Sequence, residues 1–249
     1  MTSSDLGDKN VLVRSERKIF RLFREGVREY NLIEPGDKIL IGLSGGKDSL
    51  ALVELLGKSL HYWNGNVQLY AMHIRVDSVE YQVDDGYLMD FCSNYGIRYF
   101  SKQISVEPDR DTKRTPCFLC SWNRRKALFE MAQTLSCNKL ALGHHQDDIL
   151  QTALMNLSFN GSFSTMPVFM KMQKMPFSII RPLCLIPERT IADWAMIRNY
   201  HPLLKVCPYD TMSKRTDAKH LLDQMDTFNP EFRSNFWHAL KKEGKLVDL

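Results

Sequence analysis

The sequence predicts an α/β fold in which a parallel five-stranded sheet is covered by helices on both faces. Short apolar segments alternate with amphipathic ones along most of the chain, and this alternation is typical of strands joined by crossover helices. The chain has 249 residues, which is enough for one large domain and a small appendage. A glycine-rich loop stands between an apolar and a helical segment, where sheets of this class bind ligands.

The N-terminal half of the chain supplies three of the predicted strands. Apolar residues recur on one face of a predicted helix at 14–31, and a Pro-Gly-Asp turn leads from it into a strand at 38–43. The elements that follow are a helix at 49–56, a strand at 67–74, a helix at 80–95 and a strand at 97–104. Residues 105–116 are polar and contain two prolines, which predicts a loop.

The C-terminal half completes the sheet and then becomes helical. It contains a helix at 121–136, a strand at 139–142, a helix at 147–159, a strand at 177–181, and helices at 188–199, at 216–226 and after Pro230. A methionine-rich stretch at 166–175 predicts a hairpin arm before the fifth strand. We therefore predict an N-terminal helical segment (1–35), a central sheet domain (36–186) and a C-terminal helical segment (187–249).

The composition is that of an ordinary globular protein. Hydrophobic residues make up 44% of the chain, and the net charge of +4 permits an acidic partner without requiring one. The polar N-terminus lacks a secretory signal, and no stretch approaches the roughly 18–20 apolar residues of a membrane span. We expect a cytoplasmic protein without membrane contact, whose six cysteines do not form disulfides.

The strongest local signal is the glycine-rich loop at 44–49, which reads Ser-Gly-Gly-Lys-Asp-Ser. Its two glycines let backbone N–H groups approach an anion, and the helix N-terminus that follows adds a favourable dipole. Lys47 can neutralise phosphate charge, and Asp48 can reach Mg²⁺, which prefers one or two carboxylates with phosphate oxygens. The spacing differs from that of a Walker A loop.

A second polar motif, Leu-Gly-His-His-Gln-Asp-Asp at 142–148, follows the fourth strand. Because the carboxyl ends of parallel strands meet at one edge of the sheet, we expect it beside the glycine-rich loop. Taken alone, its two aspartates have a simpler interpretation, since acidic residues favour the N-terminus of any helix.

Two cysteines, Cys117 and Cys120, are spaced to share one metal ion or cluster. They stand between the polar loop and a predicted helix, and the neighbouring Arg124 and Arg125 favour thiolates. A single Cys-x-x-Cys pair is compatible with zinc, an iron–sulfur cluster or a redox dithiol. The sequence has no second pair, which disfavours a four-cysteine zinc site. We expect Cys92 and Cys184 to be packed and Cys137 to lie in a turn, and none of the three to take part in the chemistry.

Together these motifs resemble the PP-loop ATP pyrophosphatase superfamily and, within it, the tRNA 2-thiocytidine synthetase family. The shared pieces are Ser-Gly-Gly-Lys-Asp-Ser at 44–49, Cys117-x-x-Cys120, Arg124-Arg125, the run at 142–151, Met166-Pro167, the run at 180–183, and Cys207. The resemblance implies an adenine nucleotide alpha-hydrolase-like fold. It also implies an enzyme that cleaves ATP between its α and β phosphates, adenylates the C2 oxygen of a pyrimidine in tRNA and replaces that oxygen with sulfur.

The resemblance also implies which residues bind the nucleotide. These are Leu43, Ser44, Gly45, Gly46, Lys47, Asp48, Ser49, His73, Ile74, Gly143, His144, Asp147 and Asp148. Lys47, Asp48 and Asp147 are predicted to be catalytic, with Asp48 and Asp147 as the Mg²⁺ ligands.

For the cysteines, the resemblance implies a 4Fe-4S cluster on Cys117, Cys120 and Cys207. Three protein ligands leave one iron open, and that iron would hold the sulfide that attacks the activated carbon. The implied partners are tRNA, a sulfur donor (sulfide or a cysteine desulfurase) and a second copy of the chain in a homodimer.

Two departures from the family leave details open. The third region reads Cys207-Pro-Tyr-Asp210, where the family has Pro-Cys-x-x-Cys, so Asp210 is either an oxygen ligand to the cluster or, as we favour, a turn residue. Cys-Pro-Tyr resembles the 2-thiouridine branch, but the terminal zinc-finger cysteines of that branch are missing here. Cytidine in the anticodon loop is the favoured target. Arg181, at the end of the fifth strand, is a further candidate for the site.

Two other functions remain compatible with the motifs. A PP-loop tRNA-modifying or amide ligase with a different nucleophile would not need the three cysteines. A nucleotide-binding iron–sulfur or zinc protein without catalysis would bind ATP and release no pyrophosphate.

Overall fold

A computed structural model describes residues 3–77, 80–81, 85–106, 116–203, 205–206 and 214–249 of the protein. A seven-stranded sheet forms its centre, and a two-stranded sheet lies beside it. The strands are β1 (Lys38–Gly42), β2 (Gln68–Val76), β3 (Glu80–Tyr81), β4 (Arg98–Ile104), β5 (Lys139–Leu142), β6 (Phe169–Lys171), β7 (Ser178–Ile180), β8 (Lys205–Val206) and β9 (Val247–Asp248).

The large sheet has the order β4-β2-β1-β5-β7-β6-β9, and its first five strands are parallel. These five are the predicted strands, and the predicted α/β class is confirmed. The predicted strand count was too low, because β6 pairs antiparallel to β7 as a hairpin and β9 extends the sheet beyond β6. Strands of two or three residues are too short to show a recognisable alternation.

The helices follow the predicted order with different boundaries. They are α1 (Ser3–Glu29), α2 (Lys47–Lys58), a short 3-10 helix (Leu60–Trp63), α3 (Asp85–Ser93), α4 (Pro116–Thr134), α5 (Gln146–Asn160), α6 (Glu188–Ile197), α7 (Lys214–Phe228) and α8 (Phe232–Lys242). The helix predicted at 80–95 is shorter, because Glu80–Tyr81 pairs with Lys205–Val206 as a strand. The helix predicted at 121–136 begins earlier, since Pro116 takes its first position, where proline is well tolerated.

Helices cover both faces of the sheet, as the continuous apolar strands predict. Alternate residues of β1 enter different clusters: Ile39 and Ile41 pack with α1, α2, α5 and α6, whereas Leu40 packs beneath α4. The larger cluster also contains Phe23 of α1 and Leu240 of α8. Residues of both predicted terminal segments therefore share the core of the sheet, and the division at 35 and 186 stays a prediction. Within the described ranges, no helix is both long and apolar enough to cross a lipid bilayer.

A buried carboxylate joins the helix after the glycine-rich loop to α6. Glu54 of α2 is fully buried and forms ion pairs with Lys58 at 2.9 Å and with Arg198 at 3.0 Å. It also accepts hydrogen bonds from Trp194 Nε1 at 3.3 Å and from the Tyr200 hydroxyl. A buried charge is tolerated only with such partners, so this network fixes α2 against the C-terminal part of the chain.

Replacing Glu54 with glutamine is expected to lower the free energy of unfolding by about 2–4 kcal/mol, because two cations lose a buried partner. Urea denaturation would measure the loss. The matched control is Glu16→Gln, since Glu16 pairs with the same Lys58 at 3.1 Å but is partly exposed. We expect that change to cost less than about 1 kcal/mol. Equal losses in the two variants would contradict the assignment of Glu54 as a structural centre.

Candidate active site

The loop at 44–49 connects β1 to α2, and its conformation leaves backbone N–H groups available to a ligand. Gly45 has a φ of 81°, and a Cβ atom there would lie 2.4 Å from Leu203 Cδ1, so this position requires glycine. Gly46 is the N-cap of α2 and has no side chain to cap the helix. The first N–H groups of α2 are therefore left for an external acceptor, which is how helix N-termini bind phosphate.

Two serine hydroxyls fix the shape of this loop. Ser44 Oγ accepts a hydrogen bond from the backbone N–H of Gly46 at 3.3 Å and donates to Ser49 Oγ at 3.1 Å. Ser49 in turn donates to the carbonyl of Gly46 at 2.9 Å. The loop therefore holds its conformation through its own contacts, which reduces the ordering needed when an anion binds.

The second motif lies against the loop, as predicted. A Cβ atom on Gly143 would be 3.2 Å from Ser49 N, so the absence of a side chain lets the two segments approach closely. His145 caps α5, because its Nδ1 accepts from Asp148 N at 3.4 Å while Asp148 Oδ2 accepts from His145 N at 3.0 Å. This capping box fixes the direction of Asp148.

Two carboxylates of these motifs, Asp48 and Asp148, line a common cavity. They lie 3.9 Å and 3.5 Å from His145 Nε2. Asp48 Oδ1 is buried and accepts no hydrogen bond, although Lys47 Nζ lies 3.1 Å away. A carboxylate oxygen in this state is suited to a hard cation, and two carboxylates beside a phosphate loop fit the preference of Mg²⁺.

Asp147 is placed differently from its neighbour. Its Oδ2 accepts from the backbone N–H of Glu188 at 2.6 Å, and its Oδ1 forms an ion pair with Arg233. Asp148, rather than Asp147, is the member of the acidic pair that lines the cavity. The contacts of Asp147 join α5 to α6 and α8, and its catalytic role stays a prediction.

Sequence reasoning missed three charged residues around the site, Glu188, Lys219 and Arg233. Glu188 lies 3.3 Å from Lys47 Nζ and 2.7 Å from Lys219 Nζ. Burial would raise the pKa of Glu188, but the two lysines outweigh it and hold that pKa below its usual value. Burial would likewise lower the pKa of Lys47, but Asp48 and Glu188 hold it above its usual value. Lys47 is therefore a cation at neutral pH. The partners lie too far away in sequence for any local pattern to reveal them.

A cavity of about 1090 Å³ opens where these elements meet. The predicted site residues that line it are Leu43, Ser44, Asp48, Ser49, Ile74, Cys117, Cys120, Gly143, His144, Asp148 and Arg181. His73 is fully buried instead, and its Nδ1–H donates to the carbonyl of Leu43 at 2.8 Å. Its contact with the end of β1 supports the wall of the cavity.

Cys117 and Cys120 both line this cavity from the beginning of α4. Residues three apart on a helix share a face, and Cys117 is exposed while Cys120 is half-buried. The other described cysteines are buried, as expected for Cys92 and Cys184, and Cys137 is buried as well. Burial raises the pKa of Cys92 to about 12 and that of Cys137 to about 11, so these remain thiols. Accessible thiols at the cavity are suited to binding a metal cluster, and buried ones are not.

Cys207 and Asp210 lie outside the described residues. Described residues on either side of 204–213 belong to the site, since Leu203 N donates to Gly45 O at 2.8 Å and Arg215 lines the cavity. Arg215 Nη1 also lies 3.9 Å from Asp148 Oδ1. The two described cysteines thus fit a cluster of the predicted kind, and Cys207 as its third ligand stays a prediction.

His144 is a neutral residue of the cavity wall. Its Nδ1 accepts a hydrogen bond from Arg181 Nε at 3.2 Å, so this nitrogen carries no proton and Nε2 does. The pKa of His144 is lowered to about 3, first by burial and then by the charges of Arg181 and Arg215. His144 is therefore neutral at pH 7 and offers a hydrogen-bond donor through Nε2–H.

The lowered pKa of His144 predicts that the free energy of unfolding decreases in acid. The unfolded state takes up a proton at the usual histidine pKa of 6.5 and the folded state only near 3. Unfolding therefore binds a proton in this window, and stability falls as the pH drops from 6.5, by up to about 1.4 kcal/mol per pH unit. Urea denaturation between pH 7 and 4 should show a shallower decline in His144→Asn, which keeps an acceptor for Arg181. The exposed His238→Asn is the control, and equal slopes in both variants would contradict the prediction.

The fold and the site together define a class of nucleotide-binding α/β proteins. The chain belongs to the PP-loop family, because the sequence profile of the PP-loop domain matches residues 12–202. It is 31% identical over 242 residues to the tRNA-cytidine(32) 2-sulfurtransferase 1 of Francisella tularensis subsp. novicida (strain U112), covering 94% of this chain and 88% of that protein. The tRNA-cytidine(32) 2-sulfurtransferase of Delftia acidovorans (strain DSM 14801 / SPH-1) is 31% identical over 237 residues, covering 92% and 74%. Within the PP-loop class, the chain therefore groups with the tRNA 2-thiocytidine synthetases.

A solved structure agrees with this grouping. The U34-tRNA thiolase NcsA from Methanococcus maripaludis, solved with its [4Fe-4S] cluster, superposes with a TM-score of 0.73 at 26% identity. The match covers 92% of this chain and 79% of that one. The two chains therefore share a fold over nearly the whole length of this protein.

Proposed function

We propose that this protein is an ATP-dependent tRNA sulfurtransferase that converts a cytidine of the anticodon loop to 2-thiocytidine. The relatives act on cytidine 32 according to their names, and we assign the same nucleotide to this chain. The enzyme would adenylate the C2 oxygen of the base, release pyrophosphate, and replace the activated oxygen with sulfur as AMP leaves.

One observation carries the proposal: the phosphate loop and the Cys117–Cys120 pair open into the same cavity. ATP activation and sulfur delivery must act on one carbon atom, so the groups that perform them have to face a shared space. An amide ligase or a tRNA ligase of this class would not need two accessible thiols beside its phosphate loop.

Residues of the chain account for the activation step. The N–H groups at the beginning of α2 would bind ATP phosphates, and Lys47 would stabilise the charge that develops as pyrophosphate leaves. Glu188 lies 3.3 Å from Lys47 Nζ and helps to orient the ammonium group. The neutral Nε2–H of His144 would donate to an oxygen of the substrate in the cavity. Such preorganised donors and charges usually supply the largest part of a rate enhancement.

Two bound groups complete the chemistry. Mg²⁺, held by Asp48 and Asp148, would neutralise phosphate charge. The 4Fe-4S cluster, held by Cys117, Cys120 and Cys207, would supply the sulfur that replaces the oxygen. Asp210 would be a turn residue next to the third ligand. The partners would be tRNA and a sulfur donor, either sulfide or a cysteine desulfurase, and the enzyme would act in the cytoplasm as a homodimer.

Anaerobic purification followed by a thiolation assay tests this function. The wild-type protein should be brown, contain about four irons per chain, and form 2-thiocytidine in tRNA with equimolar AMP and pyrophosphate. Nucleoside analysis by mass spectrometry would identify the modified base. A colourless protein that releases pyrophosphate with tRNA would indicate another nucleophile. A brown protein that binds ATP without releasing pyrophosphate with any tRNA would indicate a binding protein.

A further inference from the structure

Arg181 is a buried cation without a carboxylate partner among the described residues. Its side chain lines the cavity at the end of β7, and the residue is only 6% exposed. Its Nε donates to His144 Nδ1 at 3.2 Å, and its Nη1 donates to the carbonyl of Pro167. Both acceptors are neutral. The Nη2 group has no hydrogen-bond acceptor in the part of the chain that the structure describes.

A second cation lies near enough to Arg181 for its charge to act on it. Arg125 of α4 lines the same cavity, and it forms no ion pair with any described carboxylate. The pKa of Arg181 is lowered to about 10, first by burial and then by the charge of Arg125. Asp148 acts in the other direction, but it lies beyond ion-pair distance from Arg181. The two guanidinium groups therefore repel each other, and of the two Arg181 is buried while Arg125 is exposed.

Such an arrangement opposes folding unless something compensates it. Burying a cation without a counter-ion costs free energy, and a like charge nearby increases that cost. The Glu54 network shows how this chain compensates buried charge when the role is structural, since there every cation has a carboxylate partner. At Arg181 and Arg125 the compensating anion is missing from the described residues, so a ligand is the natural source of it.

We propose that Arg125 and Arg181 form an oxyanion subsite that binds a phosphate group of the substrate, in the cavity that residues of the phosphate loop also line. Arginine suits this role, because its planar fork binds two oxygens of one phosphate. The inference rests on the proposed function, which brings two phosphate-bearing substrates, tRNA and ATP, into this cavity. The loop at 44–49 already offers its N–H groups to ATP, so we expect the subsite to bind the RNA phosphodiester beside the reacting base.

Binding measurements on the full-length protein separate the two phosphate sources. One series measures the affinity for α,β-methylene-ATP with Mg²⁺ by calorimetry. The other measures the affinity for substrate tRNA at several salt concentrations. Both use the wild type, Arg125→Ala, Arg181→Lys and Lys126→Ala. Lys126 is the matched control, because it is an exposed cation on the same helix that does not line the cavity. Arg125 is exposed as well, so its removal leaves the fold intact even if Arg181→Lys is unstable.

For Arg125→Ala and Arg181→Lys we expect the Kd for tRNA to rise by about 10- to 100-fold, which is the usual effect of losing a charged hydrogen bond. The slope of log Kd against log salt should fall by nearly one in Arg125→Ala, as one phosphate contact is lost. A loss confined to the ATP analogue would support the subsite and assign it to an ATP phosphate. If the wild type binds both ligands and the variants behave like Lys126→Ala, the subsite is wrong and the proposed function stands. A wild type that binds neither ligand would overturn both proposals.

Discussion

Replacing Asp48 with asparagine is expected to lower the rate of ATP-dependent pyrophosphate release by about 10²- to 10³-fold, the usual effect of losing one group that stabilises transition-state charge. The Asp48 side chain lines the cavity, and its buried Oδ1 accepts no hydrogen bond. Asparagine has nearly the same shape but offers Mg²⁺ a neutral oxygen, so the Mg²⁺ concentration for half-maximal activity should also rise. Pyrophosphate release measured across a Mg²⁺ titration tests both effects.

Asp147→Asn provides the contrast to Asp48→Asn. Both oxygens of Asp147 contact protein groups, and one of them balances the charge of Arg233. We expect a loss of about 1–2 kcal/mol in the free energy of unfolding, because Arg233 loses one charged partner but keeps Asp223 and Asp226. The Mg²⁺ dependence of activity should stay that of the wild type. A raised Mg²⁺ requirement in Asp147→Asn would instead support its predicted catalytic role.

The different contacts of Asp147 and Asp148 show how much of this site can be predicted from the sequence. Their order in the chain and the strand before them predict that both lie at the edge that carries the phosphate loop. Neighbouring residues on a helix point about 100° apart, so two adjacent side chains can contact different parts of the protein, and of these two Asp148 lines the cavity. Which one does so depends on α6 and α8, whose residues Glu188 and Arg233 lie far away in the sequence.

The fold was predictable to a similar degree. The five parallel strands followed from apolar segments separated by helices, because buried parallel strands are apolar on both faces. The hairpin arm predicted at 166–175 contains β6, but neither β6 nor β9 was predicted as a strand of the sheet, since segments of three and two residues carry no period. The first turns of α4, which contain Cys117 and Cys120, were predicted to precede the helix. Their sequence does not distinguish a polar loop from the beginning of a helix. Local sequence patterns thus predicted the five parallel strands and the helices that cover them. The two short strands beyond β7 depend on tertiary contacts and were not predicted as part of the sheet.

The same distinction applies to the charges of the site. Lys47 and Asp48 were recognisable because a short motif carries them both. Glu188, Lys219 and Arg233 became visible only in three dimensions, where they surround Lys47 and Asp147. Arg181 lies between these cases, because its place at a strand end was predictable but its lack of a described counter-ion was not. Polar residues buried by several distant segments are therefore where sequence reasoning fails most often in this protein.

Replacing Cys117 or Cys120 with serine should abolish sulfur transfer while leaving the activation of ATP largely intact. Both thiols line the cavity, and serine keeps their size but does not form the thiolate that binds iron. The phosphate loop lies on α2 rather than α4, so binding of an ATP analogue should match the wild type. Iron content, the visible spectrum and 2-thiocytidine in tRNA, all measured anaerobically, report the loss.

Cys137→Ala is the matched control for these cysteine variants, because Cys137 is 2% exposed and lies just beyond the C-terminal end of α4. It should keep the iron and the activity, at a cost of about 1 kcal/mol in stability. Cys207→Ser should behave like the two cavity cysteines if it is the third ligand. Full iron content and thiolation in Cys117→Ser would mean that α4 does not bind the cluster. The shared cavity would then no longer support sulfur transfer by this protein. The phosphate loop would instead activate a substrate for attack by a different nucleophile.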